Sequence, residues 1–528
     1  MPNNRQRFST IIENRFTDER QITATDYGHI LTHRAVWSAD SEWLVYDIRS
    51  DPSGAVFDGT RIEMVSVKTG EIRILYDTRN RDKVLQSGAN ESSESIVNCG
   101  VASFFALRWG QSSEIPGSYS SVGSRPSTPI SKSISSEKGF EQNNDLLESA
   151  VIFIHGPENP GAEWSYRADH RRGIIVHTSN PGKPIALDAA DFSPPFTPGA
   201  LRGGSHVHMA DRSNQWIRFT YEDHIIREYL RSRGGVEHEQ QIQQMRNIGI
   251  SIPGQKVVPR SNHPRNYAGE YFSILASKTV LQPRPGSDEI RRAQEECWIE
   301  SSLPRSTSHP RSPKIPFDLC NPESTPRGIA FQGEVISASG QPCWEVFVLD
   351  LPTDLTIPGD GPLEGTATEL PFPPRGIRQT RITYTSHEDY PGIQGPRHWL
   401  QISADGKRIA FLRKDRNGIV QLYSVSPEGS AIEQLTDHPY SISTAFTWHP
   451  VLNCLAFGMD NSICVHDCQK RKTYRLTQGD FFPGSIRPEA SVFSPAGDQI
   501  AYVRCLPKYT SKGIDLQNQI FVCSWHPE

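Results

Sequence analysis

The chain has 528 residues, with 55 Lys+Arg against 60 Asp+Glu and a formal charge of −5. So small an imbalance gives no whole-protein field to capture nucleic acid or acidic lipid, and no run of eighteen apolar residues is present to span a bilayer. The first residues, MPNNRQRFSTIIENRF, lack the apolar stretch of a secretory signal. A cytoplasmic monomer with neither a nucleic-acid nor a membrane partner is therefore expected.

In chain order, residues 1–18 read as an extension, and RQIT (20–23) as a short strand. WSADSEWLVY (37–46) reads as a strand end, a polar tight turn and a short apolar strand. IEMVSV (62–67), FFALRW (104–109), VIFIHG (151–156) and GIIVHT (173–178) are strand-like, rich in β-branched and aromatic residues. Residues 111–148 are Ser-rich with almost no apolar content, and read as a disordered insertion. GGSHVHM and a degenerate frame, ADRSNQWIRF (210–219), follow. A helix is expected within 228–247 and another over DEIRRAQEECW (288–298), while 302–326 reads as a second, Pro/Ser-rich insertion. The frame then returns as ISADGKRIAF (402–411), WHPVLNCLAF (448–457) and FSPAGDQIAY (493–502).

About 45 residues separate the last three frames, the length of one four-stranded propeller blade. TRIT (380–383), EQLT (433–436) and YRLT (474–477) precede the frames as RQIT does, each the outermost strand of one blade. The expected fold is all-β: one seven-bladed propeller over 19–528, with blades near 30–77, 96–188, 201–255, 263–372, 380–436, 444–477 and 488–526. The last blade supplies three strands, so RQIT near the N-terminus is expected to close the ring. Nine cysteines show no CxxC pairing and read as buried reduced thiols.

The frames resemble the TolB-like family of propeller repeats. FIHGPENP (153–160), HRRGIIV (170–176), RGGSHVH (202–208), RNIGI (246–250), PGSDEI (285–290), PRHWL (396–400) and NGIVQLY (417–423) together resemble an uncharacterised YidR-like family. That resemblance implies a propeller and carries no activity.

No GxSxG elbow, phosphate loop or GxGxxG fingerprint occurs. Imidazoles and guanidiniums instead gather near inner-strand positions. His155, His206 and His208 are candidate ligands for a divalent metal, manganese or similar, because i, i+2 residues of a strand share a face. Arg202, His263, Arg265, Arg397 and His398 are candidates for holding a small anionic ligand or a peptide segment at the channel mouth. His449 takes a slot where sibling frames carry Ser, so repeat architecture accounts for it. Phe153-Ile154-His155-Gly156-Pro157, followed by Arg171 and Arg172, is similar to a motif of oligogalacturonate lyases. Their His-x-His pair is similar to His206 and His208. That resemblance implies a channel metal and acidic oligosaccharide substrates, with His170, Arg171 and Arg172 as catalytic groups. The chain departs from the pattern: the Glu within that motif is missing, the Arg lies further on, and Gly203 stands where those enzymes carry a Gln ligand. Ligand binding at the channel mouth leads; a metal-dependent lyase and an interaction scaffold stand as alternatives.

Overall fold

The computed structural model describes residues 10–32, 34–53, 57–80, 97–108, 147–233, 245–300, 327–397, 399–479, 484–511 and 513–527. The two Ser-rich segments and His398 lie essentially outside them. Seven four-stranded antiparallel sheets follow one another around a ring. Their innermost strands are Gly28–Ile30, Cys99–Arg108, Gly203–Ala210, Ile290–Ile299, Gln401–Ile402, Thr447–Trp448 and Ser485–Phe493. Among the described residues no helix is long and apolar enough to cross a membrane.

Each strand sends alternate side chains to opposite faces, and each face meets a neighbouring blade. Phe411 packs with Val346 and Val348 of the fourth blade. Ala410 and Leu412, on the other face of the same strand, pack with Leu455 and Phe457 of the sixth. Seven apolar clusters fill the seven interfaces in this way. The last joins Trp37, Leu44 and Val65 of the first blade to Val492, Val503 and Val522 of the seventh. Indole N–H groups add a repeated bond across these interfaces. Trp37 donates to the Val492 carbonyl at 3.0 Å, Trp298 to Met209 at 3.2 Å and Trp448 to Gln401 at 3.2 Å, each reaching the preceding blade.

The frame turns share one capping device. Ser38 and Ser403 accept backbone N–H bonds from Trp43 and Arg408 at 2.9 and 3.0 Å. In the sixth blade His449 Nδ1 instead accepts from Val451 and Leu452 at 3.1 and 2.9 Å, two and three residues on, so an imidazole caps the same turn through different N–H groups. In the degenerate frame Asp211 Oδ1 accepts from Trp216 N at 3.0 Å.

Two expectations are corrected. Residues 288–298 are not a helix: Ile290–Ile299 is the innermost strand of the fourth blade. Register shifts at Ile290/Ala293 and Gln294/Cys297 reset its alternation, so buried positions recur every three or four residues and imitate a helical period. In consequence Phe272–Leu275, read as the opening of the fourth blade, is the outer strand of the third. The helix expected within 228–247 is His224–Arg231, capped by Asp223, whose carboxylate accepts from Ile226 N at 2.8 Å. Eight cysteines are described, all free and all but Cys468 buried.

Glu19–Gln21 closes the ring as expected, pairing antiparallel with Gly513–Ser524 so that Arg20 faces Val522. Ile11–Asn14 adds a parallel fifth strand to the sixth blade through Lys472–Arg475. The seam is held by charge as well: Arg504, with a fully buried side chain, places Nε 2.5 Å from Glu19 Oε1. The Tyr502 hydroxyl also donates to that carboxylate.

Losing one partner of a buried ion pair costs about 3–5 kcal/mol. Glu19→Ala is therefore expected to lower the thermal midpoint sharply, and to do far less in an Arg504→Met background; equal losses in both backgrounds contradict the seam. A second expectation concerns pH. Burial pushes the imidazoles of His29 and His466 down to about 4, and those of His208 and His438 to about 3. Below about pH 6.5 the unfolded chain takes up protons that the folded chain refuses. Stability is thus full above pH 6.5 and is lost as pH falls toward 4. Melts from pH 7 to 5 test this: His438→Phe should flatten the slope whatever its effect on the absolute midpoint.

Candidate functional site

His155, His206 and His208, expected to share a metal, are not part of a group of three metal-type ligands within 4.8 Å of one another among the described residues. His155 is wholly buried between the first two blades. Its Nδ1 bonds the Gly156 carbonyl at 2.7 Å and its Nε2 lies 3.0 Å from the Tyr76 hydroxyl. A bulge separates His206 from His208, with Val207 at φ +58° and a register shift from His206 to Met209. The same device recurs at Val101 (φ +55°) and Glu295 (φ +54°) in the innermost strands on either side. Regular alternation therefore does not govern the pair. His208 Nε2 lies 3.0 Å from Ser205 Oγ, which donates to Asp188 Oδ2 at 2.8 Å. Serine stands between carboxylate and imidazole here, the reverse of a nucleophilic triad. Burial pushes Asp188 up to about 6.

Other candidates are engaged structurally. Arg202, almost fully buried, donates Nε to Asp223 at 2.8 Å, and its remaining nitrogens to the carbonyls of Thr366 and Glu369. It fastens the third blade to a loop of the fourth. Arg171 stacks over Phe57 and Tyr166, 5.7 and 5.1 Å from the ring centroids. Arg397 lies over Trp399 at 5.4 Å.

His170, Arg172, His263 and Arg265 do gather, around the loop 156–171 that follows the second strand of blade two. Arg172 pairs with Glu158, and Arg265 bonds the Glu158 carbonyl at 2.6 Å and covers Trp164 at 5.4 Å. Trp164 stacks on His170 with centroids 3.8 Å apart, and its edge meets Phe192, which neighbours His263 at 6.0 Å. Two residues not anticipated complete the group. Asp169 Oδ2 accepts from His224 Nδ1 at 2.9 Å and from Arg167 at 2.9 Å, and Oδ1 accepts from Arg227 at 3.0 Å. Burial raises the Asp169 pKa, but His224, His170 and the two guanidiniums outweigh it and hold the carboxyl well below the usual range. Burial, against the pull of Asp169, pushes His170 down to about 4. Among the described residues, Asp169, His170 and His224 are the one group of three metal-type ligands whose donor atoms all lie within 4.8 Å.

At the other end of the ring, innermost strands of six blades converge on a cavity of about 330 Å³. Arg34, Met209, Glu300, Gln401, Trp448 and Val492 line it. Arg34 donates Nε to Met209 Sδ and NH1 to Gln401 Oε1, both at 2.9 Å. Among the described residues no carboxylate lies within ion-pair distance of it. Arg218 reaches the same thioether at 2.9 Å, but is neutralised by Glu296 at 2.7 Å. Burial, then the Arg218 charge, pushes Arg34 down to about 10. Burial raises Glu300, which accepts from Arg212 N at 2.8 Å. The sequence held a signal for Arg34: four residues before the capping slot, where it stands, the fifth and sixth blades carry Trp399 and Ala445.

Comparison with known proteins bears on this arrangement. A family model described as "Protein of unknown function (DUF3748)" matches residues 143–267, which include Trp164, Asp169, His170, His224 and His263. Among solved structures, puromycin hydrolase shares 9% identity at a TM-score of 0.43, covering 94% of this chain and 52% of its own. This chain thus spans about half that protein's length. A putative TolB from Agrobacterium tumefaciens shares 12% identity at a TM-score of 0.30, covering 71% of this chain and 87% of its own. The uncharacterized protein YidR of Escherichia coli (strain K12) is 36% identical over 488 residues, spanning 92% of this chain and 94% of that protein. Identity of that order along nearly the whole ring places the chain in the YidR family.

Proposed function

We propose that this propeller binds a small carboxylate-bearing ligand in the cavity at its channel mouth, with Arg34 as the anchor. One observation carries the reading: a half-buried guanidinium whose side-chain partners are a thioether and an amide rather than a carboxylate. Glu300 and Glu296 act on Arg34 only from beyond ion-pair distance; withdrawing a cation from water without a directly paired counter-charge is unfavourable, and a planar fork suits a carboxylate bidentately. The volume is at the lower end of small-molecule sites. Trp448, Val492 and Phe493 supply apolar wall, and Glu300 an acceptor for a donor group on the same ligand. An acidic saccharide, a dicarboxylate and a peptide's terminal carboxylate all offer the recognised group.

Calorimetric titration with galacturonate oligomers, aliphatic dicarboxylates, and peptides with free or amidated C-termini tests the reading. Arg34→Gln is expected to weaken the ligand that binds by about 10- to 100-fold, the loss of a charge-assisted hydrogen bond. Equal affinities in the variant and the parent overturn it. Arg34→Met removes a poorly compensated cation and is expected to leave the thermal midpoint of the ligand-free protein unchanged or higher.

A further inference from the structure

We infer that Asp169, His170 and His224 form a binding site for one divalent transition-metal ion, at the end of the ring opposite the Arg34 cavity. The inference is independent of the ligand proposed there. Asp169 Oδ2, His224 Nδ1 and His170 Nε2 are separated by 2.9, 3.2 and 3.5 Å. Three donors so spaced sit on one face of a coordination shell with metal–ligand distances of about 2.0–2.2 Å. Two imidazoles and a carboxylate suit zinc, cobalt, nickel or manganese in preference to calcium or magnesium.

The surroundings fit a ligand set. His170 Nδ1 donates to the Ser165 carbonyl at 2.8 Å, which fixes the tautomer and leaves the Nε2 lone pair toward the group. Trp164, stacked on His170 and edge-on to His224 at 4.7 Å, restrains both rings. Arg227 on Oδ1 orients the carboxylate and leaves Oδ2 to the ion. His224 opens the helix His224–Arg231, and Gly204 lets the 168–171 backbone lie against the third blade, because a Cβ there would collide with the Ala168 carbonyl.

Arg167 competes for the same lone pairs. Its NH2 lies 2.9 Å from Asp169 Oδ2 and 3.1 Å from His170 Nε2. Its side chain is 25% exposed and has a second carboxylate within reach, Glu228 Oε1 at 3.5 Å. An ion entering the group displaces the guanidinium onto Glu228 and takes the place of the proton that His224 Nδ1 donates to Asp169, which passes to Nε2 or to solvent. Three protein ligands leave further coordination positions open, as in sites that take water or an oxyanion.

The test is metal content and affinity in the full-length protein. Elemental analysis after dialysis against zinc, and titration with Co²⁺ read by its visible absorption, should give one equivalent per chain. His170→Ala and the less buried His224→Gln should each weaken binding by at least about 100-fold, beyond the effect typical of outer-sphere partners. Arg167→Ala should tighten it about tenfold, a gain that no damaged fold would produce. The His206→Ala, His208→Ala pair should leave the stoichiometry at one. Absence of a stoichiometric ion in both the parent and Arg167→Ala overturns the inference. So does an ion that survives His170→Ala and His224→Gln, or one lost with His206 and His208.

Discussion

Every sheet in this protein is buried on both faces by its neighbours, and that mutual covering is the constraint from which the rest follows. Seven of the apolar clusters lie between blades; a small eighth, of Leu201, Phe219, Tyr221 and Leu275, belongs to the third blade alone. Runs such as Ile409-Ala410-Phe411-Leu412 are apolar without a break because Phe411 serves one interface and Ala410 and Leu412 the next. The indole bonds from Trp37, Trp298 and Trp448 tie three of the blades to the ones before them. Functional groups are left to the two ends of the ring, where strands give way to turns and loops.

What was legible in the sequence is what the ring repeats. The polar turns are local, so their residues stand close together in the chain, and even the exchange of Ser for His449 can be read from the slot it occupies. The closing strand was legible for the same reason, since RQIT has the form of its siblings. What was not legible arises where a strand breaks its period. Bulges at Val101, Val207 and Glu295 hold non-glycine residues at positive φ, a strained conformation that no residue type announces. One of them disguised a strand as a helix and displaced a blade boundary; another undid the shared face of His206 and His208.

The loop group was half legible for a related reason. His170, Arg172, His263 and Arg265 belong to motifs that drew attention by their composition. Asp169 and His224 acquire meaning only through contact between a loop of the second blade and a helix of the third, 55 residues apart in the chain. Arg34 is a further case, an ordinary residue made unusual because its direct side-chain partners are a thioether and an amide. The two ends of the ring therefore differ in chemistry: one has a cation short of counter-charge, the other a carboxylate and two imidazoles beneath guanidiniums. The ligand and the metal ion proposed above would thus be held by separate groups of residues.

Because Glu19–Gln21 completes the seventh blade by hydrogen-bonding to Gly513–Ser524, a strand made early waits for one made some five hundred residues later. Until the seventh blade forms, the flanks that it will cover, Val65 of the first blade and Val465 of the sixth, have no neighbour. Biosynthesis thus carries a long interval in which greasy flanks stay wet, and a nascent-chain chaperone has a defined stretch of synthesis over which to act.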